Sequence, residues 1–232
     1  MLLTQSDTPT LAGPQTQLAA LLYDLDGTLV NTDPYHFRVW QEMLRDYGLD
    51  VDEAFYQSRI SGRLNPAIVA DLLPQLDESA AAKFIAEKEA RFRSLTPQMV
   101  PMAGLGGVME WARGRELKQA VVTNAPVENV HHALQALALE SSFDQVVISD
   151  LLGIGKPDPT PYLHALEQFE IPAAAAIAFE DSPSGVRSAV AAGIPTVGIA
   201  STHDPQVLLG LGAFLVVPDF AAPELWEVFN CR

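Results

Sequence analysis

The 232-residue chain is poor in several things at once, and each shortage removes a class of protein. Cysteine occurs once, at Cys231, which excludes an intramolecular disulfide and any cysteine-held metal cluster. Basic residues are scarce: 14 Lys and Arg stand against 29 Asp and Glu, a formal net charge of -15. A chain of that sign repels nucleic acid and anionic lipid, so neither is expected as a partner. No apolar run approaches the length of a membrane span. Met1 to Gln17 has neither a basic start nor a long apolar stretch, so no secretory signal is expected and the cytoplasm is the expected location. A monomer is the expected state. Hydrophobic residues make up 48% and charged residues 19%, the balance of a globular chain rather than a disordered one. The acidity sets one condition: an anionic substrate would need a metal or a few well-placed bases to be attracted.

Against that background one stretch stands out. Leu18 to Tyr23 is continuously apolar, then turns abruptly into Asp24-Leu25-Asp26-Gly27-Thr28. A short apolar run closed by a turn signal suits a strand buried on both faces. Charge at its C-terminal end is odd for packing and natural for a site, because ligands of open α/β sheets sit at the carboxyl ends of the strands. The period of two points Asp24 and Asp26 the same way, where two carboxylates repel unless a cation or a proton intervenes. Two chemistries fit. A hard cation such as Mg²⁺ can bridge Asp24 to a nearby backbone oxygen, or one Asp can attack as a carboxylate while the other handles protons. A solvated turn at a strand end explains the stretch alone equally well.

The remaining chain divides in two. Residues up to Gln17 are rich in Thr, Pro, Gly and Gln and are expected to form a loose leader. From Pro34 to Pro97 no convincing strand occurs. Helical patterns run from Pro34 to Tyr47, Ala67 to Leu73 and Glu78 to Thr96, with a loop at Ile60 to Pro66. After a loop over Pro101 to Gly107 and a short helix at Val108 to Arg113, strands and helices alternate. The expected strands are Ala120–Val122 ending at Thr123-Asn124, Gln145–Ile148 ending at Ser149-Asp150, Ala175–Phe179 ending at Glu180-Asp181, Thr196–Ile199 and Leu215–Val217. Such alternation implies an α/β fold with a Rossmann-like parallel sheet, and right-handed crossovers place those strand ends along one edge. The expected organisation is a core of 18–33 and 98–232 with a small all-helical cap, 34–97, inserted after the first strand.

Along that edge gather Asp24 and Asp26, Thr123 and Asn124, and Glu180 and Asp181. Lys156 joins them from Gly153-Ile154-Gly155-Lys156-Pro157-Asp158-Pro159, a loop stiffened by glycine and proline. Each alone has an ordinary explanation as a helix cap, a turn or a solvated charge. Together they are acids to gather a metal, a hydroxyl to hold a phosphoryl oxygen and a lysine to neutralise charge, which is equipment for phosphoryl transfer.

These residues, in this order, resemble the four motifs of the haloacid dehalogenase superfamily of aspartate-nucleophile phosphotransferases. The resemblance covers nearly all of the chain after the leader. It implies that Asp24 is the nucleophile, and that Asp26 is the general acid and base whose backbone carbonyl also binds Mg²⁺. It implies that Thr123 and Lys156 hold the transferring phosphoryl group, and that Asp181 with Glu180 completes the metal site. An Asp at position 26 argues against dehalogenation, because the dehalogenases of this superfamily lack it. Tyr35-His36-Phe37-Arg38-Val39-Trp40 and Phe179-Glu180-Asp181-Ser182-Pro183-Ser184-Gly185 resemble the branch containing β-phosphoglucomutase and its phosphatase relatives. There the histidine at the place of His36 helps set the acid/base aspartate when the cap closes.

The cap loop departs from that branch. Where the mutase has a Lys before the loop glycine and an Arg three residues after it, this chain has Ser61 and Asn65, with Arg63 directly after Gly62. Asn124, His36, Gly62 and Arg63 are the expected substrate-binding residues. The expected function is a Mg²⁺-dependent phosphatase for a small phosphorylated metabolite, a sugar phosphate or phosphoglycolate. A β-phosphoglucomutase-type isomerase is the alternative, and a non-catalytic protein of the same fold is the third.

Overall fold

The computed structural model of the protein describes residues 17–61 and 63–230. Most of the expected leader, Gly62 and Cys231 therefore lie outside the described residues. Strand β1 (Ala20–Tyr23) is followed by four helices, α1 (Asp33–Arg45), α2 (Glu53–Arg59), α3 (Asn65–Leu72) and α4 (Glu78–Leu95). The alternating part then runs α5 (Leu105–Arg113), β2 (Lys118–Thr123), α6 (Val127–Ala136), β3 (Gln145–Ile148), α7 (Ser149–Leu152) and α8 (Thr160–Phe169). It continues through β4 (Ala176–Glu180), α9 (Pro183–Ala191), β5 (Thr196–Ile199), α10 (Pro205–Gly210), β6 (Leu215–Val217) and α11 (Pro223–Asn230). Among the described residues no helix is long and apolar enough to cross a membrane.

The sheet has six strands in the order β3-β2-β1-β4-β5-β6, and every pairing is parallel. The chain builds outward from β1 on one side, then crosses over to build outward on the other. The point of reversal lies between β1 and β4, where such sheets open a crevice at their carboxyl ends. Register makes the crevice specific: Tyr23 pairs with Val121 on one side and Phe179 on the other, so Asp24 emerges between the ends of β2 and β4.

The two faces of the sheet differ in size. Leu21 and Tyr23 pack with Val121, Ile177 and Phe179, whereas Ala20 and Leu22 pack with Ala120, Val122, Ala176 and Ala178. The alanine side lets α8 and α9 lie close, through Tyr162, Ala165, Leu166 and Ala189. On the large side Tyr23 stacks on Phe179 at 5.3 Å between ring centroids, and Phe220 lies 5.1 Å from Phe179. Each such fully buried side chain is worth about 1.5–3 kcal/mol relative to exposure.

Helices α2 and α10 were not expected, and the start of α5 differs from the expected one. Helix α2 is short, buries Tyr56 alone, and starts on Asp52, whose side chain accepts from Phe55 N at 2.7 Å; so little periodicity leaves no pattern to read. Helix α10 is similar, with Asp204 as cap and Leu208 as its buried residue. Helix α5 begins at Leu105 rather than Val108, with Gly106 and Gly107 inside it. Gly104 turns the chain just before, at φ 78°, and a Cβ there would overlap the backbone of Phe220 and Ala221.

That contrast is testable by urea unfolding. Gly104→Ala should lower stability by about 1–3 kcal/mol through a left-handed φ and a backbone clash. Gly106→Ala, which meets open space in a helix, should raise it by about 0.5 kcal/mol. Both should shift the midpoint at unchanged slope.

Candidate active site

Asp24, Asp26, Thr123, Lys156 and Asp181 line one cavity of about 230 Å³ between the sheet edge and the helical insertion. Asp24 directly follows β1, with its N–H donating to Phe179 O at 3.0 Å. The next residues fold into a tight loop: Gly27 N donates to Val30 O at 2.7 Å and Leu29 N to Leu25 O at 2.9 Å. Gly27 sits at φ 81°, and a Cβ on it would overlap the Asp181 carboxylate. Glycine there provides the turn and lets the carboxylate approach.

Lys156 is the centre of the charge arrangement. Its Nζ donates to Asp24 Oδ1 at 2.6 Å, Glu180 Oε1 at 2.5 Å and Val122 O at 2.7 Å, with the residue 5% exposed. Burial pulls its ammonium down, but Asp24 and Glu180 outweigh that and hold it above the ordinary lysine range. Asn124 fixes the backbone on either side: Lys156 N donates to Asn124 Oδ1 at 2.9 Å, and Asn124 Nδ2 donates to Lys156 O at 3.0 Å. Its amide, expected on the substrate, thus holds the lysine loop, while the residue also lines the cavity. Thr123 is buried at the end of β2, and its Oγ1 accepts from Ala125 N at 3.0 Å.

The two aspartates of the first motif have different surroundings. Asp24 faces an ammonium. Asp26 faces a hydroxyl, with Thr32 Oγ1 donating to its Oδ1 at 2.7 Å. Burial pushes the Asp26 carboxyl up to about 6, against the Thr32 hydrogen bond and with help from Asp24.

Carboxylate oxygens of Asp24, Glu180 and Asp181 lie within 4.8 Å of one another. Burial pushes Glu180 up to about 7 against the pull of Lys156, and it holds Asp181 well above the carboxylate range with Asp24 adding to the rise. Hard, crowded oxygens of this kind suit a hard divalent cation, which removes their mutual repulsion. Glu180 also has structural work: its Oε1 accepts from Tyr162 Oη at 2.7 Å, and a Cβ on Gly185 would overlap its carboxyl group. The Asp26 side chain stays outside the group. No hydrogen bond among the described residues ends on the Asp26 carbonyl, so that oxygen is available to a cation.

The insertion contributes residues that the sequence did not single out. Lys88 and Glu89 are 2% and 6% exposed in the middle of α4 and line the cavity. Lys88 Nζ lies 2.8 Å from Glu89 Oε1 and 3.0 Å from His36 Nδ1. His36 also stacks on Phe92 at 4.0 Å. Burial, with Lys88, pushes its imidazole down to about 3, so Nδ1 is the acceptor. The available signal was the spacing of Phe84, Lys88 and Phe92, which puts a lysine on the apolar face of the helix. Arg63 reaches the rim, but its Nη1 is bound to Asp71 Oδ2 at 2.9 Å and Arg59 O at 2.6 Å. From the loop after β5, Thr202 donates to Asp181 Oδ2 and Ser201 Oγ to Gly27 O at 2.5 Å. Those two hydroxyls had no signal in the sequence.

The comparisons agree with this geometry. Residues 21–199 match the family described as haloacid dehalogenase-like hydrolase, and the chain belongs to that family. It is 32% identical to the phosphorylated carbohydrates phosphatase of Thermotoga maritima, over 91% of this chain and all of the relative. It is 31% identical to the fructose-1-phosphate phosphatase of Escherichia coli, over 78% of this chain and 96% of the relative. Among solved structures, a family IA variant 3 hydrolase of Entamoeba histolytica superposes with a TM-score of 0.83 at 27% identity, over 93% of this chain and all of that one.

The raised carboxyls give a pH dependence with a defined sign. A carboxyl whose folded value exceeds its unfolded one stabilises the fold at low pH and loses that contribution as pH rises through the folded value. His36 has the opposite sign up to its unfolded value near 6.5. In chelator, the raised carboxyls of Asp26, Glu180 and Asp181 outnumber His36, so stability should fall as pH rises from the unfolded carboxylate range through about 7, the folded value of Glu180. Added Mg²⁺ should reverse the fall, and its stabilising effect should grow from pH 5.5 to 7.5. Thermal melts at fixed Mg²⁺ read both; a Mg²⁺ effect independent of pH would refute the assignment of these carboxyls.

Proposed function

We propose that the protein is a Mg²⁺-dependent phosphatase that frees phosphate from a small phosphorylated carbohydrate through an aspartyl phosphate on Asp24. The observation that carries this reading is the split between Asp24 and Asp26. One carboxylate is held against the Lys156 ammonium, while the other is buried, turned toward Thr32 and raised to about 6, within reach of proton transfer near neutral pH. The names of two relatives, phosphatases of phosphorylated carbohydrates and of fructose 1-phosphate, support the substrate class.

In this reading Asp24 and Asp181, the Asp26 carbonyl and the nearby Glu180 hold Mg²⁺, which when bound offsets the charge of the phosphoryl oxygens. Thr123 and Lys156 hold those oxygens from the other side. A carboxylate oxygen of Asp24 attacks phosphorus. The bond to the ester oxygen breaks, Asp26 gives that oxygen its proton, and the alcohol leaves. Water then attacks the phosphorus of the aspartyl phosphate and passes its proton to Asp26. The bond from phosphorus to the Asp24 oxygen breaks, inorganic phosphate departs, and both aspartates return to their starting states. Residues 34–97 act as the cap over the core of 18–33 and 98–232, and His36 with Lys88 keeps Asp26 in place when the cap is closed.

The division of labour predicts two different failures. Asp24→Asn should lower kcat by at least about a thousandfold on every substrate and never carry phosphate. Asp26→Asn should still be phosphorylated slowly by an aryl phosphate, whose leaving group needs little protonation, and then fail to release it. Acid-quenched intact mass should show one added phosphoryl group, mapping to Asp24. A label on Asp26 or Thr123 would reassign the nucleophile.

A further inference from the structure

Apart from His36 and Lys88, the part of the cavity lined by the insertion has no task in the chemistry above. Glu89 is its centre. Glu89 Oε1 accepts from Lys88 Nζ at 2.8 Å and Asn65 Nδ2 at 2.6 Å; Oε2 accepts from Asn129 Nδ2 at 2.6 Å and keeps a second lone pair. Asn129 is 5% exposed and belongs to α6 of the core, so this wall is complete only where insertion and core meet. Nearby in the lining, Asp33 accepts from Tyr56 Oη at 2.7 Å and Ser61 Oγ at 3.4 Å. Carboxylate, carboxamide and hydroxyl groups alternate there. That mixture matches a ligand hydroxyl, which donates and accepts at once.

The same lining is hostile to a second anion. It carries five carboxyl groups and three cationic side chains. Each cation already has a carboxylate partner: Lys156 with Asp24 and Glu180, Lys88 with Glu89, and Arg63, at the rim, with an Asp71 that it shares with Arg59. Beside Thr123 and Asn124 the lining is Ala125 and Pro126, whose side chains offer neither charge nor donor. A second phosphate or a carboxylate would be desolvated next to Glu89 and Asp33, and would have to compete with carboxylates already bound to the nearby cations.

We propose that Glu89, Asn65 and Asn129 form a hydroxyl-reading subsite that selects the sugar or sugar-alcohol part of a phosphomonoester and turns away substrates with a second anionic group. The proposal rests on the phosphatase reading for turnover but not for binding. It makes Glu89 a specificity residue, and it sets this chain apart from an isomerase that must hold two phosphates.

Matched substrates test it. With Mg²⁺ present, phosphate release from fructose 1-phosphate and sorbitol 6-phosphate is compared with that from fructose 1,6-bisphosphate, phosphoglycolate, phosphoethanolamine and an aryl phosphate. At least one polyol monophosphate should exceed the bisphosphate and phosphoglycolate in kcat/KM by about a hundredfold. Glu89→Gln and the milder Asn65→Ala should each reduce the polyol-to-aryl ratio of kcat/KM by about tenfold. Calorimetric binding of the same ligands to Asp24→Asn protein with Mg²⁺ separates the two readings. Selective binding of a polyol monophosphate without turnover of any ester by the native protein would refute the phosphatase and leave the subsite standing. A bisphosphate or phosphoglycolate handled within about threefold of the best polyol monophosphate would overturn the subsite. A preference for phosphoethanolamine, or an unchanged ratio in both variants, would overturn it equally.

Discussion

The buried ammonium of Lys156 holds the site together. It is bonded at once to Asp24 after β1, to Val122 in β2 and to Glu180 at the end of β4. Three adjacent strand ends are thereby fixed by one cation. Taking that cation out of water costs several kcal/mol, and only near-complete hydrogen bonding returns it. The surroundings supply that completeness: Tyr162 shares the Glu180 oxygen, and Asn124 grips the Lys156 backbone from both sides. Removing Lys156 would leave two buried carboxylates facing each other, so it has a structural role besides the one proposed for it in phosphoryl binding.

The sheet order explains how so few residues suffice. Because β1 lies between β2 and β4, the residues after these three strands share one crevice without any long-range coordination of loops. The helices between β1 and α5 then bring a second set of polar groups from outside the sheet. Protein charge is overwhelmingly negative, yet within the cavity each ammonium is placed where an acidic group needs it. A cation bound by Asp24 and Asp181 would complete the neutralisation that an anionic substrate requires.

The core was largely legible in the sequence for a simple reason. Strands buried on both faces read as apolar runs, and although charge at any one strand end has an ordinary explanation, Asp24, Glu180 and Asp181 stood out together once the strand ends were placed on one edge. The longer helices between the strands followed from the same alternation, while the short α7 and α10 did not. The insertion was legible only as helix. Its Ala-, Lys- and Glu-rich fourth helix has the composition of a solvated one, which concealed the burial of Lys88 and Glu89 against His36, Phe92 and Asn129. Arg63 could be seen as a candidate but not as the partner of Asp71, since a loop conformation decides that pairing. Thr202 and Ser201 were invisible because contacts across 21 and 174 residues leave no local trace.

Three glycines in the core carry a consequence for how such a protein can change over evolutionary time. The space beside Gly27 is filled by Asp181, that beside Gly185 by Glu180, and that beside Gly155 by Asn124. Any side chain at these positions would displace a group to which the proposed mechanism gives work, directly or by holding the lysine loop. The reaction half of the cavity is thus closed to gradual variation, one substitution at a time. The described helices at 53–59, 65–72 and 78–95 contain no glycine and so no comparable steric lock, and on the proposed reading drift there alters what is recognised while the chemistry stays fixed. A lineage built on this architecture can therefore exchange substrates readily and exchange reactions hardly at all.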